Sequence, residues 1–445
     1  MKGQEIRDKQ KEYVLQSWNK QKGLEPIPIE RAENIYLYDY DGNRYADMSS
    51  LHVNMNLGYA NKEINDAIRN KIDQYAFISE AYADKDRAEL AKMIEGLMPD
   101  NMAKVFFTNA GADANENAIK IARMYTGRQK IFSRYRSYHG STFGAGNLTG
   151  EPRRYALEPG IAGFVKFRDP YMYRDNLPFE TEEECTEFYL KQLEEQINYE
   201  NPDNIAAIVM ETVTGTNGII IPPKGYLPGV RALCDKYGIM MICDEVMAGW
   251  CRTGSMFAFQ QFGVKPDIVS FAKGVTCGYV QLGGVCVSKK IAEYFDDHVL
   301  SCGLTYNGHP LACAAGVACV KYYIDHDIAG HVQKVGATLA KLLDAMKEKH
   351  PCVGDTRHIG LFSCVELVKD KKTREALVPY GRDPKGVMPK IMKMLKEKRF
   401  MTFGHENIIL IAPPLIITDE QLKEELAKLD EVLYTVDKMI KEGQV

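Results

Sequence analysis

An aspartate and a lysine each directly follow a mostly apolar stretch of the chain. Side chains of these two types can act together on one ligand. Asp244 follows residues 238–243, and Lys273 follows residues 266–272. Runs of this length are typical of buried strands, so both side chains are expected at one edge of a sheet. An amine can form a Schiff base with an aldehyde, and a carboxylate can keep a pyridine nitrogen protonated. The pair therefore predicts a site for pyridoxal phosphate.

A second group of residues is suited to holding the flat ring and phosphate of such a cofactor. The segment Asn-Ala-Gly-Ala-Asp at 109–113 lies between a predicted strand and a predicted helix. Small residues there expose backbone N–H groups at the positive end of a helix, which favours phosphate. Turns of this kind are also common without any ligand. Tyr138 follows the next predicted strand and can stack on a ring, although a tyrosine of the core fits the same pattern.

The elements that must position these residues extend from Lys104 to Gly283. Short apolar runs alternate there with helical patterns, which indicates an α/β fold with a mostly parallel, seven-stranded type of sheet buried on both faces. The predicted strands are 104–108, 130–133, 205–210, 239–242, 267–271 and 282–287, and the predicted helices are 114–125 and 227–237.

The rest of the chain is expected to form a smaller α+β domain. Strands are predicted at 362–367 and 408–412, and the last helix begins at Thr418, which with Gln421 has the spacing of a capping box. We therefore predict an N-terminal arm and part of the small domain in residues 1–60, a large cofactor-binding domain in 61–320, and the C-terminal small domain in 321–445.

The composition excludes some classes of partner. The 445 residues carry 56 Lys and Arg against 60 Asp and Glu, a net charge of −4, so no global positive field favours nucleic acid or an acidic membrane. No apolar run approaches the roughly 20 residues of a membrane span. The eleven cysteines contain no C-x-x-C pair and suggest reduced thiols, and a cytoplasmic location is expected.

Five short motifs occur in a fixed order. They are Phe-Phe-Thr-Asn-Ala-Gly-Ala-Asp-Ala-Asn-Glu at 106–116, Tyr-His-Gly at 138–140, Asp-Glu-Val at 244–246 followed by Arg-Thr-Gly at 252–254, Ala-Lys-Gly at 272–274, and Thr-Tyr-Asn-Gly-His-Pro at 305–310. Together they resemble the class III (omega) aminotransferases, which are fold type I pyridoxal-phosphate enzymes that work as dimers. The resemblance extends from about Trp18 to the last helix.

This resemblance implies a role for each matching residue. Lys273 would bind the cofactor covalently and then transfer protons, and Asp244 would hold the ring nitrogen. Tyr138 and Val246 would cover the two faces of the ring. The other implied cofactor contacts are Gly111 and Ala112 at the phosphate, His139, Glu211 near substrate and ring, and Thr305 from the neighbouring subunit of a homodimer or a dimer of dimers.

Several loops resemble the taurine aminotransferase branch of this class, including Leu-Thr-Gly-Glu-Pro-Arg-Arg at 148–154 and Glu-Thr-Val-Thr-Gly-Thr-Asn-Gly at 211–218. Many relatives carry a mobile arginine near the position of Phe403, and this chain does not. The resemblance thus predicts transamination of taurine with a 2-oxo acid, 2-oxoglutarate before pyruvate. The candidate substrate contacts are Arg154, which is equally well explained as a surface or interface arginine, together with Val53 and His405.

Other interpretations stay open at this point. Within the class, the donor can instead be beta-alanine, 4-aminobutyrate or a diamine, and the scaffold also supports aminomutase and decarboxylase chemistry. A non-catalytic protein that retains the fold is a further alternative, although it has no need of a buried lysine at 273. The nine histidines include no H-E-x-x-H, so no metal site is predicted. Gly-Ala-Gly at 144–146 resembles part of a dinucleotide-binding loop but does not directly follow a predicted strand, so no nucleotide cofactor is predicted.

Overall fold

The computed structural model describes residues 2–175, 177 and 179–445. Its helices are α1 (Lys2–Tyr13), α2 (Ser50–Val53), α3 (Lys62–Gln74), α4 (Lys85–Leu97), α5 (Gly111–Thr126), α6 (Phe143–Leu148), α7 (Glu182–Tyr199), α8 (Tyr226–Tyr237), α9 (Lys289–Asp297), α10 (Pro310–Asp325), α11 (Ile328–Lys349), α12 (Val387–Glu397) and α13 (Asp419–Lys441).

Its strands are β1 (Ile29–Glu33), β2 (Tyr36–Asp39), β3 (Arg44–Asp47), β4 (Met102–Thr108), β5 (Lys130–Arg134), β6 (Phe164–Phe167), β7 (Ile205–Glu211), β8 (Met240–Asp244), β9 (Ile268–Phe271), β10 (Gly283–Ser288), β11 (Val353–Ile359), β12 (Phe362–Asp370), β13 (Glu375–Ala376), β14 (Phe400–Met401), β15 (Gly404–His405) and β16 (Ile408–Ile411).

The central sheet has seven strands in the order β4-β10-β9-β8-β7-β5-β6. Strands β5, β6, β7, β8 and β9 pair in parallel, and β10 is antiparallel to both of its neighbours. Every residue of β7, β8, β9 and β10 is buried, as expected for strands covered on both faces. The predicted mostly parallel sheet is confirmed.

The carboxyl ends of β7 and β8 bring two acidic residues together. Glu211 pairs in register with Asp244, and β9 ends two residues before Lys273. In a parallel sheet these ends open onto the same edge, which is where ligands bind in α/β folds. Helix α5 begins at Gly111, three residues after the last residue of β4, and Gly127 caps its C-terminus in the left-handed conformation, a common helix stop.

Two smaller sheets complete the fold. One has the order β1-β2-β3-β14, so strands from the two ends of the chain share it, and the other contains β11, β12, β16 and β15, with β13 on β12. The capping box before α13 is confirmed, because Thr418 and Gln421 bond each other's backbone N–H groups. The division at residues 60 and 320 stays a prediction.

The sequence patterns did not reveal β6, which is one of the two edge strands of the central sheet. Only Phe167 among its four residues is fully buried, so the segment lacks the continuous apolar run of the inner strands. No helix among the residues described is long and apolar enough to cross a membrane.

Candidate active site

A cavity of about 380 Å³ lies at the carboxyl edge of the central sheet. The beginning of α5, the ends of β7 and β8, and the turn that follows β9 each contribute side chains to it. Among the residues to which the resemblance assigned a cofactor contact, those that line it are Gly111, Ala112, Tyr138, His139, Glu211, Asp244, Val246 and Lys273. The structure therefore brings together eight residues that are spread over 163 positions of the chain, from 111 to 273.

Asp244 is held by three hydrogen-bond donors. Its Oδ2 accepts from Asn115 Nδ2 at 2.8 Å and lies 2.7 Å from His139 Nδ1, and its Oδ1 accepts from Val246 N at 3.0 Å. The side chain is almost fully buried, so this carboxylate is fixed in one orientation at the cavity wall. An oriented anion at this place suits a protonated ring nitrogen.

Asn115 is a site residue that the sequence patterns missed. It lies one turn into α5, is buried, and bonds both Asp244 and the carbonyl of His139, the latter at 2.8 Å. Its own Oδ1 accepts from Ser270 Oγ of β9 at 2.7 Å. The one available signal was its spacing of four residues from Gly111, which puts both on the same face of a helix.

Glu211 is buried next to Asp244 and bonds to the backbone. Its two oxygens accept from Tyr138 N at 3.0 Å and Gly215 N at 2.7 Å. Burial raises the pKa of Glu211, and the charge of Asp244 adds to this, while His139 and the two N–H groups act in the opposite direction. The bond to Tyr138 N fixes the backbone that carries the tyrosine ring.

Lys273 projects into the cavity from a short 3-10 turn, Lys273–Val275. Its φ of 47° lies in the left-handed region, which is unfavourable for residues with a Cβ and is often found at functional sites. Burial lowers the pKa of Lys273 to about 8, and the charges of Asp244 and Glu211 only partly oppose this effect. A substantial neutral fraction of the amine, the nucleophilic form, is thus present near pH 8.

The first turn of α5 forms an anion cradle at one end of the cavity. Its N-cap, Ala110, makes no side-chain hydrogen bond to the helix, so the first N–H groups are open to a ligand. A Cβ at Gly111 would lie 2.9 Å from Val246 Cγ1, which shows how closely the cradle approaches the apolar wall made by Val246.

Arg153 lies beside the cavity, against Tyr138. Its guanidinium carbon is 3.8 Å from the centroid of the Tyr138 ring and 5.5 Å from that of Trp18. Its Nη2 donates to Thr216 Oγ1 at 3.0 Å, and its Nε bonds Glu151. The charge of Arg153 also contributes to lowering the pKa of Lys273, so it acts on the cavity electrostatically.

Arg154, which the sequence analysis gave as a candidate substrate contact, lies outside this cavity. It lines a separate pocket of about 410 Å³, its Nε pairs with Glu158 Oε1 at 3.1 Å, and its guanidinium packs on Tyr155. Both arginines belong to the 3-10 turn Pro152–Leu157, where consecutive side chains point about 120° apart. The geometry thus places Arg153, and not Arg154, next to the cavity.

The other two sequence candidates for substrate binding do not line the cavity either. Val53 is only 1% exposed and packs into an apolar cluster, whereas Leu51 and His52 of the same turn line the cavity. His405 lies on β15, with Nε2 3.7 Å from Glu151 Oε2. Burial, followed by the charge of Arg153, lowers the pKa of His405 to about 4, so at neutral pH it is not a cation.

Thr305 is exposed and is not among the residues that line the cavity of its own chain. Its assignment to a neighbouring subunit's site stays a prediction. Within the residues that the structure covers, no group of three or more His, Cys, Asp or Glu side chains is arranged to hold a metal ion.

The cavity fits pyridoxal phosphate in each of its parts. The uncapped start of α5 suits the phosphate, Tyr138 and Val246 provide flat and apolar walls, Asp244 faces the cavity with all three of its partners donating, and Lys273 supplies an amine with a lowered pKa.

Comparison with known proteins agrees with this geometry. A sequence profile of the family "Aminotransferase class-III" matches residues 18–433. The structure of a taurine:2-oxoglutarate aminotransferase from Bifidobacterium kashiwanohense, in complex with PLP and glutamate, is 56% identical, covers 98% of this chain and 99% of its own, and superposes with a TM-score of 0.96.

Two curated relatives are more distant. A probable gamma-aminobutyrate transaminase 4 from rice (Oryza sativa subsp. japonica) is 34% identical over 94% of this chain and 89% of its own length. A taurine–pyruvate aminotransferase from Bilophila wadsworthia is 31% identical over 96% of both chains. The chain therefore belongs to the class-III aminotransferases, fold type I enzymes that use pyridoxal phosphate to transfer an amino group from an amine donor to a 2-oxo acid.

Proposed function

We propose that this enzyme transaminates taurine to sulfoacetaldehyde, with 2-oxoglutarate as the acceptor that becomes glutamate. The observation that carries the proposal is the 56% identity, over nearly the whole of both chains, to a protein named as a taurine:2-oxoglutarate aminotransferase. The position of Arg153 beside the cavity supports it, because it supplies the cation that a sulfonate needs.

The roles of the cofactor-site residues are part of this proposal. The cofactor supplies an electrophilic aldehyde and a ring that accepts electrons. Lys273 holds the cofactor through its amine and, once released, carries a proton to and from the substrate carbon as a general acid and base. Asp244 keeps the ring nitrogen protonated, and Asn115 and His139 hold Asp244 in place.

The remaining contacts position the cofactor and the substrate. The first N–H groups of α5 at Gly111 and Ala112 bind the phosphate, while Tyr138 and Val246 enclose the ring. Glu211 fixes the backbone of Tyr138. Each of these residues lines the cavity, so all of them surround the space that a bound group would occupy.

The donor's sulfonate requires a permanent cation. It is a tetrahedral anion that stays ionised at ordinary pH, so fixed donors serve it better than a titrating partner. Arg153 has this property, and its Nε and Nη2 are already oriented by Glu151 and Thr216. His405 does not have it, because its pKa is lowered to about 4. We therefore propose Arg153 in place of Arg154 as the sulfonate contact, with Trp18 beside it.

One alternative acceptor and one alternative class of donor have specific support. The 31% identity to a taurine–pyruvate aminotransferase favours pyruvate as acceptor, and the 34% identity to a probable gamma-aminobutyrate transaminase favours a carboxylate donor. Both identities are well below 56%. An arginine binds carboxylates as well as sulfonates, so the cavity geometry alone does not separate these donors.

A matrix of donors and acceptors tests the proposal. Purified enzyme would be assayed with taurine, beta-alanine, 4-aminobutyrate and a diamine, each with 2-oxoglutarate and with pyruvate. We expect the highest kcat/KM for taurine with 2-oxoglutarate. A higher value for a carboxylate donor would overturn the donor assignment, and a higher value with pyruvate would overturn the acceptor.

A further inference from the structure

The turn α2, Ser50–Val53, has an unusual backbone for a segment that contains no glycine. The φ angles of its four residues are 48°, 43°, 65° and 61° in chain order. All four therefore lie in the left-handed region, which L-residues avoid because Cβ approaches the following carbonyl oxygen. Position 53 is a valine, and β-branched residues are outliers at such angles. A turn of this kind persists only where its surroundings hold it.

This turn forms one wall of the active-site cavity. Its handedness places Leu51 and His52 on the cavity surface, while Val53 is buried in an apolar cluster with Val213 and Met247. The His52 ring also packs on Phe403, with the ring centroids 5.0 Å apart. If the turn relaxed to right-handed angles, these side chains would point in different directions, and the wall facing the substrate would change.

Asp47 is the residue best placed to hold the turn. Its Oδ1 accepts from the backbone N–H groups of Ser49 at 3.0 Å and Leu51 at 3.2 Å. Its Oδ2 accepts from the hydroxyl of Tyr59 at 2.7 Å. Asp47 is fully buried at the end of β3, so its position is fixed by the sheet and its oxygens determine the course of the chain that follows.

A buried arginine fastens the same turn to the C-terminal part of the chain. Ser50 Oγ donates to Ala412 O at 2.7 Å and accepts from Arg252 Nη2 at 3.1 Å. Arg252 Nη1 donates to the carbonyls of Leu361 at 2.9 Å and Pro413 at 2.7 Å. These contacts fix the first residue of the turn, and the bonds from Asp47 fix the residues on either side of it.

We propose that Asp47 is a positioning residue for transamination, which holds Ser50–Val53 in the left-handed form so that Leu51 and His52 face the substrate. The cost of the left-handed angles is offset by the bonds to Asp47 and by the burial of Val53. This role does not depend on the identity of the donor, because it concerns the shape of the cavity beside Lys273.

The strain in the turn is tested first, at Leu51, by thermal unfolding of the holoenzyme variants Leu51→Ala, Leu51→Gly and Leu51→Asn. At ordinary positions glycine is less stable than alanine, but glycine and asparagine tolerate a positive φ and alanine does not. We expect the Gly and Asn variants to unfold about 1–3 °C above the Ala variant. An Ala variant as stable as the other two would overturn the proposal.

The role of Asp47 is tested by the variants Asp47→Ala and Asp47→Asn, assayed with the donor that the wild type turns over best. Asparagine keeps an acceptor for the two N–H groups, so we expect its KM to stay within threefold of wild type. Alanine keeps none, and we expect its KM to rise at least fivefold while kcat falls less.

Two further variants separate positioning from general support of the fold. Tyr59→Phe removes only the contact to Asp47 Oδ2, so it should lower the unfolding temperature and leave KM within twofold. Asp47→Ala should raise KM less in the Leu51→Gly background than in the wild-type background, because glycine accepts the positive φ and the turn then needs less support; the single Leu51→Gly variant is the reference for the loss of the Leu51 side chain. A wild-type KM in Asp47→Ala, or an equal rise of KM in both backgrounds, would show that Asp47 does not position this wall.

Discussion

The guanidinium carbon of Arg153 lies 3.8 Å from the centre of the Tyr138 ring. Tyr138 lines the cavity that contains Lys273, whereas neither arginine lines it: Arg153 lies against Tyr138, and Arg154 lines a separate pocket. A cation stacked on an aromatic ring is held in place while its free edge can still donate to an anion. This contact therefore connects the proposed ring-binding tyrosine with the proposed substrate-binding arginine.

Replacing the two neighbouring arginines should have different effects on the donor. Arg153→Ala should raise the KM for taurine by about tenfold or more, since a charge-assisted contact is worth about 1.5–3 kcal/mol. Arg154→Ala removes a partly exposed pair with Glu158 and a bond to the carbonyl of Gly150, both outside the cavity, and should leave KM within about twofold. Steady-state kinetics of both variants measure this, and equal effects of the two substitutions would contradict the assignment.

Lys273→Ala should lower the rate of transamination by several orders of magnitude, because the variant lacks the amine that is proposed both to bind the cofactor and to move the proton. Lys265→Ala is a matched control, since Lys265 is an exposed lysine paired with Asp100. The control should retain wild-type turnover. Substantial turnover in Lys273→Ala, measured as glutamate formed from 2-oxoglutarate, would rule out its proposed role.

Asp244→Asn should reduce kcat strongly with a modest loss of bound cofactor, because the side chain keeps its shape but loses the charge that is proposed to hold the ring nitrogen protonated. Asn115→Ala leaves that charge but removes one of its three donors, so a smaller fall in kcat is expected. Cofactor retained after dialysis and kcat would be measured together. If Asn115→Ala were the more damaging change, the network around Asp244 would have a different function.

The pKa of Lys273, lowered by burial to about 8 from 10.5, has a consequence for stability. Between pH 8 and pH 10.5 the unfolded chain binds more protons at Lys273 than the folded chain does. Burial of Lys273 therefore lowers the free energy of unfolding most below pH 8, and this destabilisation weakens as pH rises. Cofactor-free Lys273→Met should therefore be more stable than the cofactor-free wild type at pH 7, by at most about 3 kcal/mol. Urea unfolding should show a smaller difference at pH 9.5, and a wild type that is the more stable at pH 7 would contradict the lowered pKa.

Thr305 is predicted to reach the phosphate in the neighbouring subunit, which makes a homodimer the smallest active unit. Thr305→Ala should lower cofactor affinity without changing the oligomeric state. Sedimentation combined with activity at the same concentrations tests this prediction. A fully active monomer would disprove it.

Much of the fold was predictable from local sequence patterns. The inner strands of the central sheet are continuous apolar runs, and β7, β8, β9 and β10 lie where those runs are. The capping box at Thr418 was also predictable, because both of its partners are within one helical turn. The edge strand β6 was not, since it is short and only one of its residues is fully buried.

The candidate site was predictable only in part. The sequence by itself determined that an acid and a lysine follow buried strands, which is why Asp244 and Lys273 were identified from it. It did not distinguish Arg153 from Arg154, because that choice depends on where Tyr138 lies relative to the 3-10 turn.

Two further features were decided only by the tertiary structure. Asn115 became part of the site because α5 packs against a strand end 129 residues away. The left-handed form of Ser50–Val53 is stabilised by Asp47 and by Arg252, about 200 residues further along the chain. The apolar pattern of a short segment indicates which of its residues are buried. The direction of a buried polar side chain depends instead on hydrogen bonds to segments that are distant in the sequence.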